Sequence, residues 1–140
     1  MSTVLAAVDG SQPSLKGVAF AAQLARSLGA NLELVYVSFP ALLPMNVYAA
    51  AIHELEAAEL EHAKAVFAVA ERSVEGVGVT VKKTRLVGAP ADAISDRAAA
   101  PDVWGVVVGA KGHNAVARVL LGSVADRLAH VCPKPAIIVR

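Results

Sequence analysis

The chain alternates between short runs of apolar residues and longer segments in which apolar positions recur at helical spacing. Five apolar runs predict β-strands, at residues 4–8, 31–37, 79–86, 103–108 and 136–139. Four segments between them predict α-helices, at residues 11–28, 52–74, 90–99 and 124–130. Strands that alternate with helices predict right-handed β-α-β units. The pattern therefore predicts an α/β fold, an open five-stranded parallel sheet with helices on both faces.

Individual residues refine this pattern. Ser11 is suited to cap the first helix and Gly29 to end it. The third apolar run is interrupted by Lys82 and Lys83, which predicts a strand at the edge of the sheet. Trp104 lies within the fourth run and is expected in the core. Residues 38–51 form a long connection, which is typical either of an interaction segment or of variable surface.

Composition narrows the class of protein. The 140 residues are 56% hydrophobic and 18% charged, which predicts one folded domain over residues 1–140 and argues against disorder. A net charge of +1 gives no support for a nucleic-acid or polybasic membrane partner. No apolar run approaches the roughly 18 residues of a membrane span. Cys132 is the only cysteine, which excludes an internal disulfide and agrees with a reducing compartment. A cytoplasmic location is therefore expected.

Three residues that could contact a ligand lie at the carboxyl ends of predicted strands or directly after them. Asp9 comes after the first strand, Val37 closes the second and Gly109 follows the fourth. Ligands of open parallel sheets bind outside the carboxyl ends of the strands, where the strand order reverses. If the first and fourth strands are neighbours, the three residues line one crevice. Asp9 could then accept hydrogen bonds from a ribose or base, or help hold a Mg²⁺ ion that accompanies phosphates. It could equally be a turn residue before a helix.

A glycine-bearing loop precedes the fourth helix. Gly109 and Gly112 are followed, after nine intervening residues, by Gly122 and Ser123. Glycines let backbone N–H groups approach an anion, and a helix amino terminus adds donors and a favourable dipole. Ser123 could hold a phosphate or simply cap the helix. The spacing is neither that of a P-loop nor that of the dinucleotide fingerprint.

Two side chains in this loop are further candidates for ligand contact. Lys111 is a cation suited to phosphate but equally at home on any surface, and His113 is the histidine beside the glycines. The other histidines do not have the spacing of a metal site, and no Ser-His-Asp arrangement is indicated.

The chain resembles the universal stress protein family, in its single-domain form, along essentially its whole length. The resemblance lies in residues 8–11 (VDGS), 88–94 (GAPADAI), 120–124 (LLGSV) and 133–139 (PKPAIIV). The ATP-binding branch of that family carries the spacing G-2x-G-9x-G-[ST]. This sequence reproduces it with Gly109, Gly112, Gly122 and Ser123.

The resemblance implies a Rossmann-like sheet, of the adenine nucleotide alpha hydrolase type, in the order 3-2-1-4-5. It implies ATP or AMP in the crevice between the first and fourth strands. Carried over by position, the nucleotide would contact Ala7, Asp9, Val37, Gly109, Gly112, Gly122, Ser123 and Val124. The resemblance also implies a homodimer formed through the last strand, Ala136 to Val139.

These observations favour an ATP-binding regulator of a stress response. Two alternatives stay open. One is a slow ATPase or phosphotransferase, for which Asp9 and His113 are the candidate bases. The other is a nucleotide-free scaffolding dimer.

Overall fold

The computed structural model describes residues 1–38, 49–111 and 121–140. Its elements, in chain order, are β1 (Thr3–Ala7), α1 (Gln12–Leu28), β2 (Asn31–Ser38), α2 (Ala49–Ser73), β3 (Val81–Val87), α3 (Pro90–Ala98), β4 (Val103–Gly109), α4 (Ser123–Val131) and β5 (Ala136–Val139). The alternation is the predicted one, and no boundary differs from its predicted position by more than three residues. Most of the predicted connection over residues 38–51 lies outside the described residues.

The five strands form one parallel sheet. Its order is β3-β2-β1-β4-β5, so β1 lies at the centre between β2 and β4. The strands β3 and β5 are the two edges. This topology confirms the predicted α/β fold, the strand order 3-2-1-4-5 and the edge position of the third strand.

Helices cover both faces of the sheet. A first core lies under α1 and α2 and includes Val18 and Phe67. A second core lies under α3 and α4 and includes Ile94, Val106 and Leu128. In the part of the chain that the structure describes, no helix is long and apolar enough to cross a membrane.

The first helix begins and ends at the predicted residues. Ser11 is the N-cap, and its hydroxyl oxygen accepts a hydrogen bond from the Ser14 backbone N–H at 3.2 Å. Gly29 ends the helix in the left-handed conformation, with φ of 65°. The Ser11 cap fixes where α1 starts, which matters because Asp9 lies just before it.

The expectation that Trp104 belongs to the core is wrong. Its side chain is 36% exposed. The strand β5 begins in register with Val106, so Trp104 lies beyond the end of that neighbour. The pairing of β4 with β1 also shifts register between Thr3 and Val4, opposite this residue.

A buried carboxylate, which sequence reasoning missed, ties the amino ends of the strands together. Glu33 on β2 is fully buried and accepts a hydrogen bond from the Thr84 hydroxyl at 2.7 Å. Its oxygens also lie 3.3 Å from the Lys82 ammonium and 2.8 Å from the Arg97 guanidinium. Arg97 in turn pairs with Asp102 at 3.3 Å and lowers the pKa of that carboxyl. The network lies at the opposite end of the sheet from Asp9.

Candidate functional site

The carboxyl ends of β1 and β4 lie side by side at the centre of the sheet. The chain leaves β1 toward α1 on one face and β4 toward α4 on the other, and such a divergence opens a crevice. Ala7 is in register with Val35, so Val37 lies two residues farther along β2, at the level of Asp9. The structure thus places Asp9, Val37 and Gly109 at the same end of the sheet, where its strands have their carboxyl ends, as the sequence predicted.

Asp9 is held by the first turn of α1. Its Oδ1 accepts hydrogen bonds from the Ser11 backbone N–H, at 2.9 Å, and from the Ser11 hydroxyl. The Asp9 backbone N–H donates to Ser14 Oγ at 3.4 Å, and the Ser14 hydroxyl donates to the Ser11 carbonyl at 3.0 Å. Ser14 is therefore part of the site that sequence reasoning missed. The spacing of two serines at a helix start was its signal.

The end of β4 lies against the backbone of α1. A Cβ atom placed on Gly109 would come within 2.5 Å of the Pro13 carbonyl oxygen and 3.1 Å of the Ser14 nitrogen. A Cβ atom on Gly17 would lie 3.2 Å from the Gly109 nitrogen. Gly109 thus lacks a side chain for a reason internal to the fold, whatever ligand the crevice holds.

The amino terminus of α4 returns to the end of β4. The Gly122 N–H donates to the Ala110 carbonyl at 2.6 Å, and the Ala110 N–H donates to the Val139 carbonyl at 2.8 Å. Gly122 is the N-cap, and no side chain among the described residues caps this helix. The interpretation of Ser123 as the cap is therefore wrong, because Ser123 is the exposed first residue of α4. The first N–H groups of a helix have no intrahelical acceptor and are available to an anion.

An apolar wall adjoins these polar groups. Ala7, Val37, Leu121 and Val124 are all partly buried, and all pack against the second core. Three of them are predicted contact residues, and Leu121 is an addition. Such a wall suits the flat face of an aromatic ring.

The remaining candidates lie in or near the glycine loop. Lys111 is half-buried at the start of the loop. Gly112 and His113 lie outside the described residues. Over residues 1–38, 49–111 and 121–140, no group of three or more His, Cys, Asp or Glu side chains could hold a metal ion.

Tyr36 lies beside Val37 but belongs to the first core, on the opposite face of β2. Its hydroxyl donates to Glu59 Oε1 at 2.8 Å, and its ring meets the rings of His62 and Phe67 edge-on at 5.9 and 6.2 Å. Burial and the Glu59 carboxylate raise the pKa of Tyr36 to about 12. This contact anchors α2 to the strand that carries Val37.

Three chemical features therefore lie at the carboxyl ends of the neighbouring strands β1, β2 and β4. They are the Asp9 carboxylate, the amide donors at the start of α4 and the apolar wall. A ligand that carries hydroxyl groups, an anionic group and a flat ring would satisfy all three.

Comparison with known sequences identifies the family. A sequence model of the universal stress protein family matches residues 1–140. The chain belongs to this family. The resemblance that the residues indicated is thereby confirmed.

Individual universal stress proteins agree along almost the whole chain. YxiE of Bacillus subtilis (strain 168) is 27% identical over an alignment 144 residues long, which covers 98% of this chain and 97% of YxiE. The structure of UspA from Lactobacillus plantarum matches with a TM-score of 0.87 at 26% identity, and covers 99% of this chain and 97% of UspA. The structure of a universal stress protein in complex with cAMP matches with a TM-score of 0.76 at 29% identity, over 99% and 97% of the two chains.

Proposed function

We propose that this universal stress protein binds an adenine nucleotide, ATP or AMP, between β1 and β4 and acts as a nucleotide-dependent regulator. The observation that carries the proposal is the start of α4. No described side chain caps it, and the Gly122 N–H ties it to Ala110 at the end of β4. Because β4 adjoins β1, the amide donors of α4 and the carboxylate of Asp9 serve the same crevice.

A structural relative supports the chemistry of this ligand. The universal stress protein that was crystallised with cAMP has 29% identity to this chain. An adenine ring, a ribose and a phosphate are the three groups that the apolar wall, Asp9 and the α4 amides would receive. In this proposal the amides of Ser123 and Val124 bind phosphate oxygens, Asp9 accepts from a ribose hydroxyl, and Ala7 and Val37 contact the base.

The same proposal assigns roles near the glycine loop. Lys111 would lie near the phosphates, and Gly109, Gly112 and His113 would lie close to the ribose and phosphates. Asp9 is a single carboxylate, which fits a Mg²⁺ ion held mainly by phosphate oxygens and water rather than by a protein cage.

Calorimetric titration of nucleotide-free protein with ATP, AMP and cAMP tests the proposal, and Ser123→Pro sharpens it. Proline is well tolerated at the first helical position, and Gly122, at φ −63° and ψ 158°, already has the extended conformation that precedes proline. The variant should fold normally yet lose one amide donor to phosphate, which weakens ATP binding about tenfold or more.

The matched control is Ser123→Ala, which removes the hydroxyl and keeps the amide. We expect it to bind ATP more tightly than Ser123→Pro. No heat with any nucleotide at millimolar concentration would refute the proposed function. Equal ATP affinity in wild type and Ser123→Pro would refute the role of the α4 amides.

The proposal includes a homodimer formed through β5, because the two edges of the sheet differ. The edge strand β3 carries Lys82, Lys83 and Arg85, charges that discourage strand pairing. The edge strand β5, Ala136–Val139, carries none. Nucleotide occupancy would then bias the dimer or the surface it offers to a partner.

Hydrogen bonds within the sheet indicate which groups of β5 face outward. The Pro135 carbonyl accepts from the N–H of Val106 in β4, and the Val139 carbonyl accepts from the N–H of Ala110, just after β4. Because donors and acceptors alternate along a parallel ladder, the backbone of Ile138 faces away from β4. Ile138→Pro should therefore remove an outward donor and give a monomer, whereas Ile138→Val should remain a dimer of twice 14.4 kDa. Light scattering measures the mass. A monomeric wild type would contradict the dimer, and a dimeric Ile138→Pro would contradict its formation through β5.

A further inference from the structure

Two glycines face each other where α1 lies on β4. Gly17 is buried in the second turn of α1, and a Cβ there would lie 3.2 Å from the Gly109 nitrogen and 3.4 Å from the Val108 carbonyl carbon. A Cβ on Gly109 would lie 2.5 Å from the Pro13 carbonyl oxygen. The helix and the strand thus touch backbone to backbone, with no side chain between them. We call this contact the glycine seat.

The glycine seat lies directly under the turn that holds Asp9. The Ser14 nitrogen is among the atoms nearest to the Gly109 Cβ position, at 3.1 Å, and Ser14 Oγ accepts from the Asp9 N–H. The next residue along the chain after Gly109 is Ala110. Its carbonyl accepts a hydrogen bond from the Gly122 N–H, at the start of α4. The contact therefore connects the turn that holds Asp9 with the amino terminus of α4.

The close contact is obtained at a cost in helix propensity. Glycine inside a helix destabilises it by roughly 0.5–1 kcal/mol relative to alanine. Elsewhere on the buried face of α1 the helix uses Ala21, Ala22 and Ala25, all fully buried. The unfavourable residue occurs where the helix meets the end of β4, beside the candidate site.

We propose that Gly17 is a positioning residue for the nucleotide site: with Gly109 it seats α1 on β4 and so holds Asp9 at the working distance from the α4 amides. The inference rests on the proposed function. A side chain at position 17 pushes α1 away from β4 by several tenths of an ångström and carries the Asp9 turn with it. Asp9 can then no longer bind the ribose while the α4 amides bind the phosphate of the same nucleotide.

The test compares Gly17→Val with Ala25→Val, which places the same side chain two turns farther along the buried face of α1. ATP affinity is measured by calorimetry at a temperature well below unfolding, so that only folded protein contributes. We expect Gly17→Val to weaken ATP binding about tenfold, because small displacements of positioned groups have large effects. Ala25→Val should leave ATP binding near wild type. Gly17→Ala, whose gain in helix propensity offsets the contact, keeps the protein folded and should weaken binding in the same direction.

Amide chemical shifts of the nucleotide-free proteins provide a second readout. The Gly17 variants should move the signals of Asp9 and Ser11, and Ala25→Val should not. A wild type that binds no nucleotide refutes the proposed function, and the positioning role falls with it. A wild type that binds, with Gly17 variants that bind equally well or lose no more affinity than Ala25→Val, overturns the positioning role alone.

Discussion

Replacing Arg97 with methionine removes the nearest cation from a carboxylate that has no access to water. Glu33 is fully buried, and the Arg97 guanidinium lies 2.8 Å from its Oε2. Removing one partner of a buried ion pair costs about 3–5 kcal/mol, because the other charge stays desolvated. Since Lys82 at 3.3 Å and Thr84 at 2.7 Å remain, we expect about 3 kcal/mol, the lower end of this range.

Urea unfolding at neutral pH, followed by circular dichroism, measures this loss. Asp102→Asn is the control, because the Asp102 side chain is 46% exposed and its pair with Arg97 should contribute less than about 1 kcal/mol. Glu33→Leu added to Arg97→Met should recover most of the stability, since no unpaired charge remains. The reasoning fails if Arg97→Met stays within about 1 kcal/mol of wild type, or if the double variant is no more stable than the single one.

Three further changes test local features of the fold. Because the pKa of Tyr36 is raised to about 12, the free energy of unfolding should fall as the pH rises from about 10 to 12. Tyr36→Phe no longer donates to Glu59, so it should be less stable than wild type at pH 8. The same variant should lack the alkaline fall. Gly29→Ala should lower the free energy of unfolding in urea by about 1–2 kcal/mol, because alanine is strained at a φ of 65°. No atom lies within 4 Å of the new Cβ, so this backbone strain would be the whole effect. An unchanged midpoint would contradict this. Gly105→Ala places a Cβ 2.8 Å from the Pro135 carbonyl oxygen, and its melting temperature should drop by several degrees.

The fold was predictable from sequence because its signals are local. Apolar runs bounded by caps and glycines mark each strand and helix, and Ser11 and Gly29 delimit α1 as expected. Lysines at 82 and 83 marked the edge strand, because a charged edge follows from sheet chemistry alone. The neighbouring positions of Asp9 and Gly109 followed in turn, since a parallel sheet brings the residues after β1 and β4 to the same end of the sheet.

What the sequence did not predict depends on register and on contacts between distant elements. Glu33 is a lone charge in a strand, and its burial follows from the pairing with Thr84 and the packing of Arg97, 51 and 64 residues away. Trp104 is exposed because β5 starts two residues beyond it in register. Pattern alone does not reveal where a neighbouring strand begins.

The two ends of the glycine motif have different physical reasons. Gly109 is required by the Pro13 carbonyl 2.5 Å from its Cβ position, so Gly109→Ala should destabilise the protein. Gly122 has φ −63° and ψ 158°, a conformation that any residue adopts, so its backbone does not require glycine. Gly122→Ser should therefore preserve or slightly raise the melting temperature, because serine is a better N-cap, while its hydroxyl oxygen takes the amides proposed for phosphate and weakens ATP binding. A Gly122→Ser protein that binds ATP as wild type does would mean that the phosphates do not lie on the α4 amino terminus.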